Sequence, residues 1–281
     1  MRLLVRTSRW AIWARRLGSF ALPLAVIPVL MHRGRSIGTD TFEIVEIAAI
    51  LVALAALMTS IIAFVRIWIT GDEGWGRAIT GLIFSIACFV PLGLLAADYV
   101  LYPLVDEVST DSVNPPPLTS GLALRPPSAA AVQTIAVRFP NIKTRHYPIP
   151  ADQMFAVVDK LVTDRGWDVR LRRAPDGSEA DGQINAVAMT LLGFRDEVSI
   201  RVSNDGDASN SAVDMRCASL TSLHEPGVNG SRIESFLNAL DERMTILMKD
   251  QPAGTGDDTD AESQPDNAPV VPAPAPRGRK R

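Results

Sequence analysis

Two apolar runs without a single charged residue, Ile47–Val65 and Ala78–Ala97, constrain this chain more than any other feature. Each approaches the ~20 residues that a helix needs to cross the hydrocarbon core of a bilayer. A short loop carrying Arg66, Asp72, Glu73 and Arg77 separates them. Both are expected to be transmembrane helices. An earlier run, Leu17–Met31, is shorter and contains Pro23 and Pro28. It is followed by His32-Arg-Gly-Arg35 and no small-residue cleavage pattern. It is therefore read as a retained first span that borrows length from Trp10–Ala14 by tilting and snorkelling. The expected anchor is residues 1–97, with spans at about 17–31, 47–65 and 78–97.

The arginines orient this anchor. Arg2, Arg6, Arg9, Arg15 and Arg16 precede the first span, and Arg66 and Arg77 flank the loop after the second. Arg33 and Arg35 alone occupy the opposite side, and nothing basic stands between Ala97 and Arg125. Seven against two follows the positive-inside rule. The N-terminus is expected in the cytoplasm and residues 98–281 outside, which for a bacterial inner-membrane protein means the periplasm. Residues 98–250 carry fifteen Lys and Arg against twenty-one acids. That mildly acidic balance argues against a nucleic-acid surface. Cys88 lies in an apolar run and Cys217 in the soluble part, so no disulfide framework is expected. His32, His146 and His224 have no metal-ligand spacing and are read as surface or turn residues.

From Asp98 to Pro150 periodicity is lost, and Pro115-Pro-Pro117, Pro126-Pro127 and Pro148-x-Pro150 punctuate an extended stretch. Composition alone reads it as a stiff linker. Its length argues instead for packing onto the domain that follows. Met154, Phe155, Val158, Leu161 and Val162 recur at helical spacing, and Gly166 stands where a helix stop is expected. Trp167–Arg172 alternates as a half-buried strand, followed by a turn at Pro175-Asp-Gly177. A second strand is expected over Gln183–Leu192 and a third around Val198, Ile200 and Val202. A hairpin loop at Asn204–Asn210 leads to a fourth strand with Val213, Met215 and Cys217 on its apolar face. Keeping apolar faces together pairs Val202 with Val213 and sets Arg201 beside Asp214. Ile233, Phe236, Leu237, Leu240, Met244 and Leu247 form one stripe of a helix over about Ser231–Met248, with Ser231 and Glu234 at capping-box spacing. The expected fold is a membrane-anchored α+β domain: an antiparallel four-stranded sheet covered on one face by two helices. Residues 251–281 are expected to be a disordered tail.

Several short patterns in this order resemble the bacterial family called domain of unknown function 1499. They are Ser109-Thr-Asp111 with Asn114-Pro-Pro116; Tyr147-Pro148; Gly166-Trp167; Gly193-Phe-Arg-Asp-Glu197; Val213-Asp-Met-Arg216; and Gly227-Val-Asn229 with Arg232-Ile233. They span roughly 106–248. The resemblance implies that the Pro-rich stretch is an ordered N-terminal extension of the domain, and that a small membrane anchor precedes it. The chain departs from the pattern where Ala218–Ser222 lacks the usual arginine and where Glu225-Pro226 replaces an acid and an apolar residue. The resemblance implies a fold and no mechanism.

Two readings of function follow. In the first, a non-catalytic periplasmic module of the cell envelope binds a protein, lipid or cell-wall component through Asp111, Arg195, Asp196, Asn229 and Arg232. The turn at Arg195-Asp196 and the loop before the last helix should share one end of the sheet. In the second, the same carboxylates and arginines serve a periplasmic enzyme. Gly193–Glu197 is equally a β-turn with solvated charges around a buried Phe194, and Asp196 with Arg232 is equally a structural pair. No phosphate loop, zinc motif, dinucleotide fingerprint or catalytic triad is present, so no catalytic residue, metal or cofactor is assigned. The lipid bilayer is the one partner that the sequence names.

Overall fold

The computed structural model describes residues 6–102, 105–121, 129–176, 181–221 and 225–250. The predicted turn at Pro175-Asp-Gly177 falls partly, and His224 and the predicted tail 251–281 fall wholly, outside the described residues. The chain divides into two compact units, Met1–Glu242 and Arg243–Arg281.

The first unit opens with three helices long and apolar enough to cross a membrane: α1 (Arg9–Arg33), α2 (Thr39–Thr70) and α3 (Trp75–Leu101). All three outrun the apolar runs, because a helix continues where the hydrocarbon ends. The 32 residues of α2 make a rod of about 48 Å, well beyond the ~30 Å hydrocarbon thickness. Its ends therefore project into the interfaces.

The helices cross on small residues. Ala11, Ala14 and Gly18 of α1, Ala53, Ala56, Ser60 and Ala63 of α2, and Ala78, Gly81 and Ser85 of α3 are all buried. Lipid tails are as apolar as leucine, so association inside a bilayer depends on such close backbone approach. A Cβ on Gly81 would lie 2.5 Å from the Ala14 carbonyl oxygen and 2.9 Å from Ser60 Oγ.

The sheet that follows has six strands, a correction to the expected four. β3 (Asp168–Arg173), β4 (Gly182–Met189), β5 (Arg195–Asp205) and β6 (Asp207–Ser219) are the expected ones, and all pair antiparallel. The additions are β1 (Glu107–Ser109) and β2 (Arg145–Tyr147), laid end to end along the free edge of β6. Three-residue strands carry no readable periodicity, yet here they cover an edge that would otherwise stay open to another chain. The expected register is present: Val202 pairs with Val213 and Arg201 with Asp214. The hairpin loop is tighter than expected. Pairing runs to Asp205 and Asp207 around Gly206, whose φ of 79° suits glycine. Asp207 Oδ1 accepts from the Ser209 and Asn210 amides and takes up the extra residues as a bulge.

Helix α5 (Ala151–Asp164) buries the predicted stripe Met154, Phe155, Val158, Leu161 and Val162 against β4–β6, and Gly166 follows it at φ 66°. Helix α6 (Val228–Asp250) begins three residues before the predicted capping box. The Ser231 amide donates to Gly227 O as the first helical bond, so Ser231 lies inside the helix, and Glu234 accepts from Asn141. Ile233, Phe236, Leu237 and Leu240 are buried, with Trp167 stacked on Phe236. Leu247, in the second unit, is exposed. A third helix, α4 (Ala129–Arg138), precedes β2.

Candidate functional site

Three arrangements concentrate the polar chemistry of the domain. The first lies where α6 meets the end of β5 and β6. Strand alternation points Asp196 to the same side as Val198 and Ile200, and Cys217 and Ser219 to the same side as Met215. Arg232, one turn into α6, donates from Nη1 to Asp196 Oδ2 at 2.7 Å and lies 3.2 Å from both Cys217 Sγ and Asn229 Oδ1. The Cys217 thiol donates to Asn229 Oδ1 at 3.0 Å, and Asn229 Nδ2 donates to Ser219 Oγ at 3.0 Å. Asp196 is 2% exposed and Asn229 5%. Burial pushes the Cys217 thiol up to about 12, against the pull of the Arg232 guanidinium. A neutral, hydrogen-bonded thiol at that value is no nucleophile.

The second arrangement covers the opposite face. There Gln183, Asn185, Glu197, Ser199, Arg201, Asp214 and Arg216 would meet water if the sheet had only helices on its other side. Instead the Pro-rich stretch after β1 folds across them as a strap. Pro117 O accepts from Gln183, Asn185 and Ser199. Glu197 accepts from the Thr119 amide at 2.6 Å, the Thr119 hydroxyl at 2.7 Å, the Ser120 amide and Asn185. Arg216 reaches Glu107 and Pro116 O. Arg201 bridges Asp214 at 2.8 Å and Asp111 at 3.1 Å, and Thr110 and Thr144 donate to Asp214. Asp196 and Glu197 are thus buried on opposite faces, a correction to the turn with solvated charges; Phe194 is buried as expected. The Arg201–Asp214 pair likewise lies under the strap and not on an open face. Burial works against the charge on Glu197, but the four donors outweigh it and hold the carboxylate below its ordinary range. Asp111 is held low chiefly by the Asn114 amide.

The third arrangement joins domain to anchor. His32, at the end of α1, is buried, which corrects the surface reading. It stacks on Phe42 at 4.6 Å, meets the edge of Phe194, and donates from Nδ1 to Leu192 O at 2.9 Å. Arg33 donates to Thr190 O and Leu191 O. Gly193 has φ 95°, and a Cβ there would lie 2.9 Å from His32 Nδ1. A second joint lies at the end of α3. Tyr102 stacks on Phe139 at 5.6 Å, and Arg138 donates to Leu101 O. The Tyr102 ring packs on Gly227, where a Cβ would lie 2.5 Å away, and the Phe139 ring packs on Gly230.

Of the five residues singled out in the sequence, Asp196, Asn229 and Arg232 come together. Arg195 opens β5 beside them and is exposed. Asp111 lies on the other face under Arg201. Gln183 and Asn185 were missed, and Glu197 was legible only as part of the charged Gly193–Glu197 turn. Amides at two-residue spacing were the available signal, since a solvated face favours longer charged side chains. Among the described residues, no group of three or more His, Cys, Asp or Glu could hold a metal ion.

No curated protein matches the chain. Residues 107–240 match the family model described as "Protein of unknown function (DUF1499)". The match begins at the first residue of β1, so the strap falls within it. Behind three helices of membrane-spanning length, residues 107–240 form a DUF1499-domain region.

Proposed function

We propose that the protein is a bacterial inner-membrane anchor with a cytoplasmic N-terminus, and that residues 98–250 form a periplasmic, non-catalytic binding module for an envelope protein, lipid or cell-wall component. The observation that carries this reading is the double joint at His32/Arg33 and Tyr102/Phe139. A module fastened at two points keeps a fixed height and orientation over the bilayer, which favours a partner at the membrane surface over a freely diffusing substrate. The electrostatics support the non-catalytic half. Asp111, Glu197 and Asp207 are held below their ordinary values by hydrogen bonds, whereas a general acid needs the opposite shift. Asp196, Asn229 and Arg232 act in this reading as an internal lock. Arg195, exposed beside the lock, is the member of the set placed to meet a partner.

Two experiments test the reading. With Cys88 replaced and Cys217 left in its buried place, a membrane-impermeant maleimide should label Ser209→Cys but not Gly76→Cys in intact spheroplasts; the reverse pattern overturns the orientation. A photo-crosslinking residue at Arg195 should yield a discrete lipid or protein adduct in cells. Absence of any adduct there, with the protein at its normal level, would remove the binding surface.

A further inference from the structure

The end of the helix bundle away from the domain holds a basic concavity. Arg15 and Arg16 of α1 and Arg77 of α3, with Ile12, Ser19 and Phe20, line a notch of about 480 Å³. Its cause is the small-residue crossing. Arg15 follows Ala14, and Arg77 precedes Ala78. Contact of Ala14 with Gly81 holds the two helices so close that arginines from both line one notch. Backbone bonds between Arg6 or Ser8 and Glu73 tie the start of the chain to the loop after α2 and fix this end further. No carboxylate lines the notch; Asp72 and Glu73 lie in the adjoining hollow, which shares Arg15 and Arg77. None of the three arginines forms an ion pair among the described residues. Three like charges at one rim repel one another and call for an anion.

Depth identifies the anion. Trp10, Trp13 and Trp75 are exposed around this end, and such indoles settle at the headgroup level of a bilayer. The Arg16 guanidinium lies 5.8 Å from the Trp13 ring. Above the arginines Phe20, 57% exposed, leads into an apolar groove with Pro23 and Leu24. Phosphate-level cations below an apolar track match a diacyl lipid, because basic pockets between transmembrane helices recognise anionic headgroups. We propose that this notch binds one anionic phospholipid of the adjacent leaflet. Its phosphodiester is shared by Arg15 and Arg77, and an acyl chain lies along Phe20, Pro23 and Leu24. The site fastens α1 to α3. It requires that the helices span a membrane, and does not depend on which side the domain occupies.

Native mass spectrometry of the full chain in non-ionic detergent tests it with three probes: phosphatidylglycerol, phosphatidylcholine and inorganic phosphate. One phosphatidylglycerol should be retained preferentially. Arg15→Gln with Arg77→Gln should weaken that retention about thirtyfold, from the loss of two cations near a membrane phosphate. Arg66→Gln, outside the notch, should leave it unchanged. If the double Gln variant fails to fold, Arg15→Lys with Arg77→Lys keeps the charge, loses the planar fork, and should give an intermediate loss. Equal retention of phosphatidylcholine, or an equal loss in Arg66→Gln, overturns the site. Displacement of phosphatidylglycerol by inorganic phosphate at similar concentration would make it a free-anion site and overturn the lipid assignment.

Discussion

Arg232 and Asp196, candidates for a binding surface in the sequence, pair with each other at 2.7 Å in the fold. Asp196 is buried and the Arg232 side chain is only 10% exposed, so deleting one leaves the other as a poorly compensated charge. Arg232→Ala or Asp196→Ala should each destabilise the protein by about 3–5 kcal/mol, read as a shift in thermal melting by tryptophan fluorescence. Arg195→Ala, at the exposed neighbour, should stay within about 0.5 kcal/mol. A lowered affinity for a partner without any shift from the buried pair would reverse these roles. Glu197 gives a pH signature. Its folded value lies below the ordinary 4.5, so its contribution is fully present above that value and lost as the pH falls through the lower folded value. Melting temperature should therefore drop on acidification below about pH 4.5. In Glu197→Gln, already destabilised, that part of the drop should be absent; an unchanged acid limb would show that the strap contacts contribute nothing through this carboxylate.

At the scale of elements, local patterns were legible, and packing of the Pro-rich stretch followed only from its length and the family resemblance, without the face it covers. The β5–β6 register followed from two adjacent apolar strands, and the α5 stripe from one helical period. Nothing local marks β1, β2 or the strap, because their partners lie far along the chain and their backbone has no repeating pattern. Alternating polar residues on β4–β6 read as solvated, since the sequence does not show what lies over them. Amides of residues 106–120 should be protected in hydrogen exchange with the rest of the domain; free exchange throughout would return the strap to a tether. The joints are tested by paired glycines. Gly193→Ala and Gly206→Ala both place a side chain at positive φ, but the first also meets His32 and the second meets open space. Gly206→Ala should cost about 1–2 kcal/mol from backbone strain alone, and Gly193→Ala clearly more. Equal losses would mean that the anchor does not press on that turn.

For the molecule as a whole, the apolar runs gave the anchor, while its packing on small residues emerged only in the fold. Attachment of domain to anchor was invisible, since His32 and Tyr102 sit in unremarkable flanks. The placement of the strap has a consequence for synthesis. Glu107 is synthesised first, yet its partner Arg216 lies 109 residues later. At ribosomal rates of roughly 5–20 residues per second, that separation takes on the order of 5–20 s. Through that interval β1 and β2 have no strand to join, because both pair with β6. The domain therefore closes only when its last strand has emerged, and a ribosome stalled before Asp207 should leave the earlier segments open to protease.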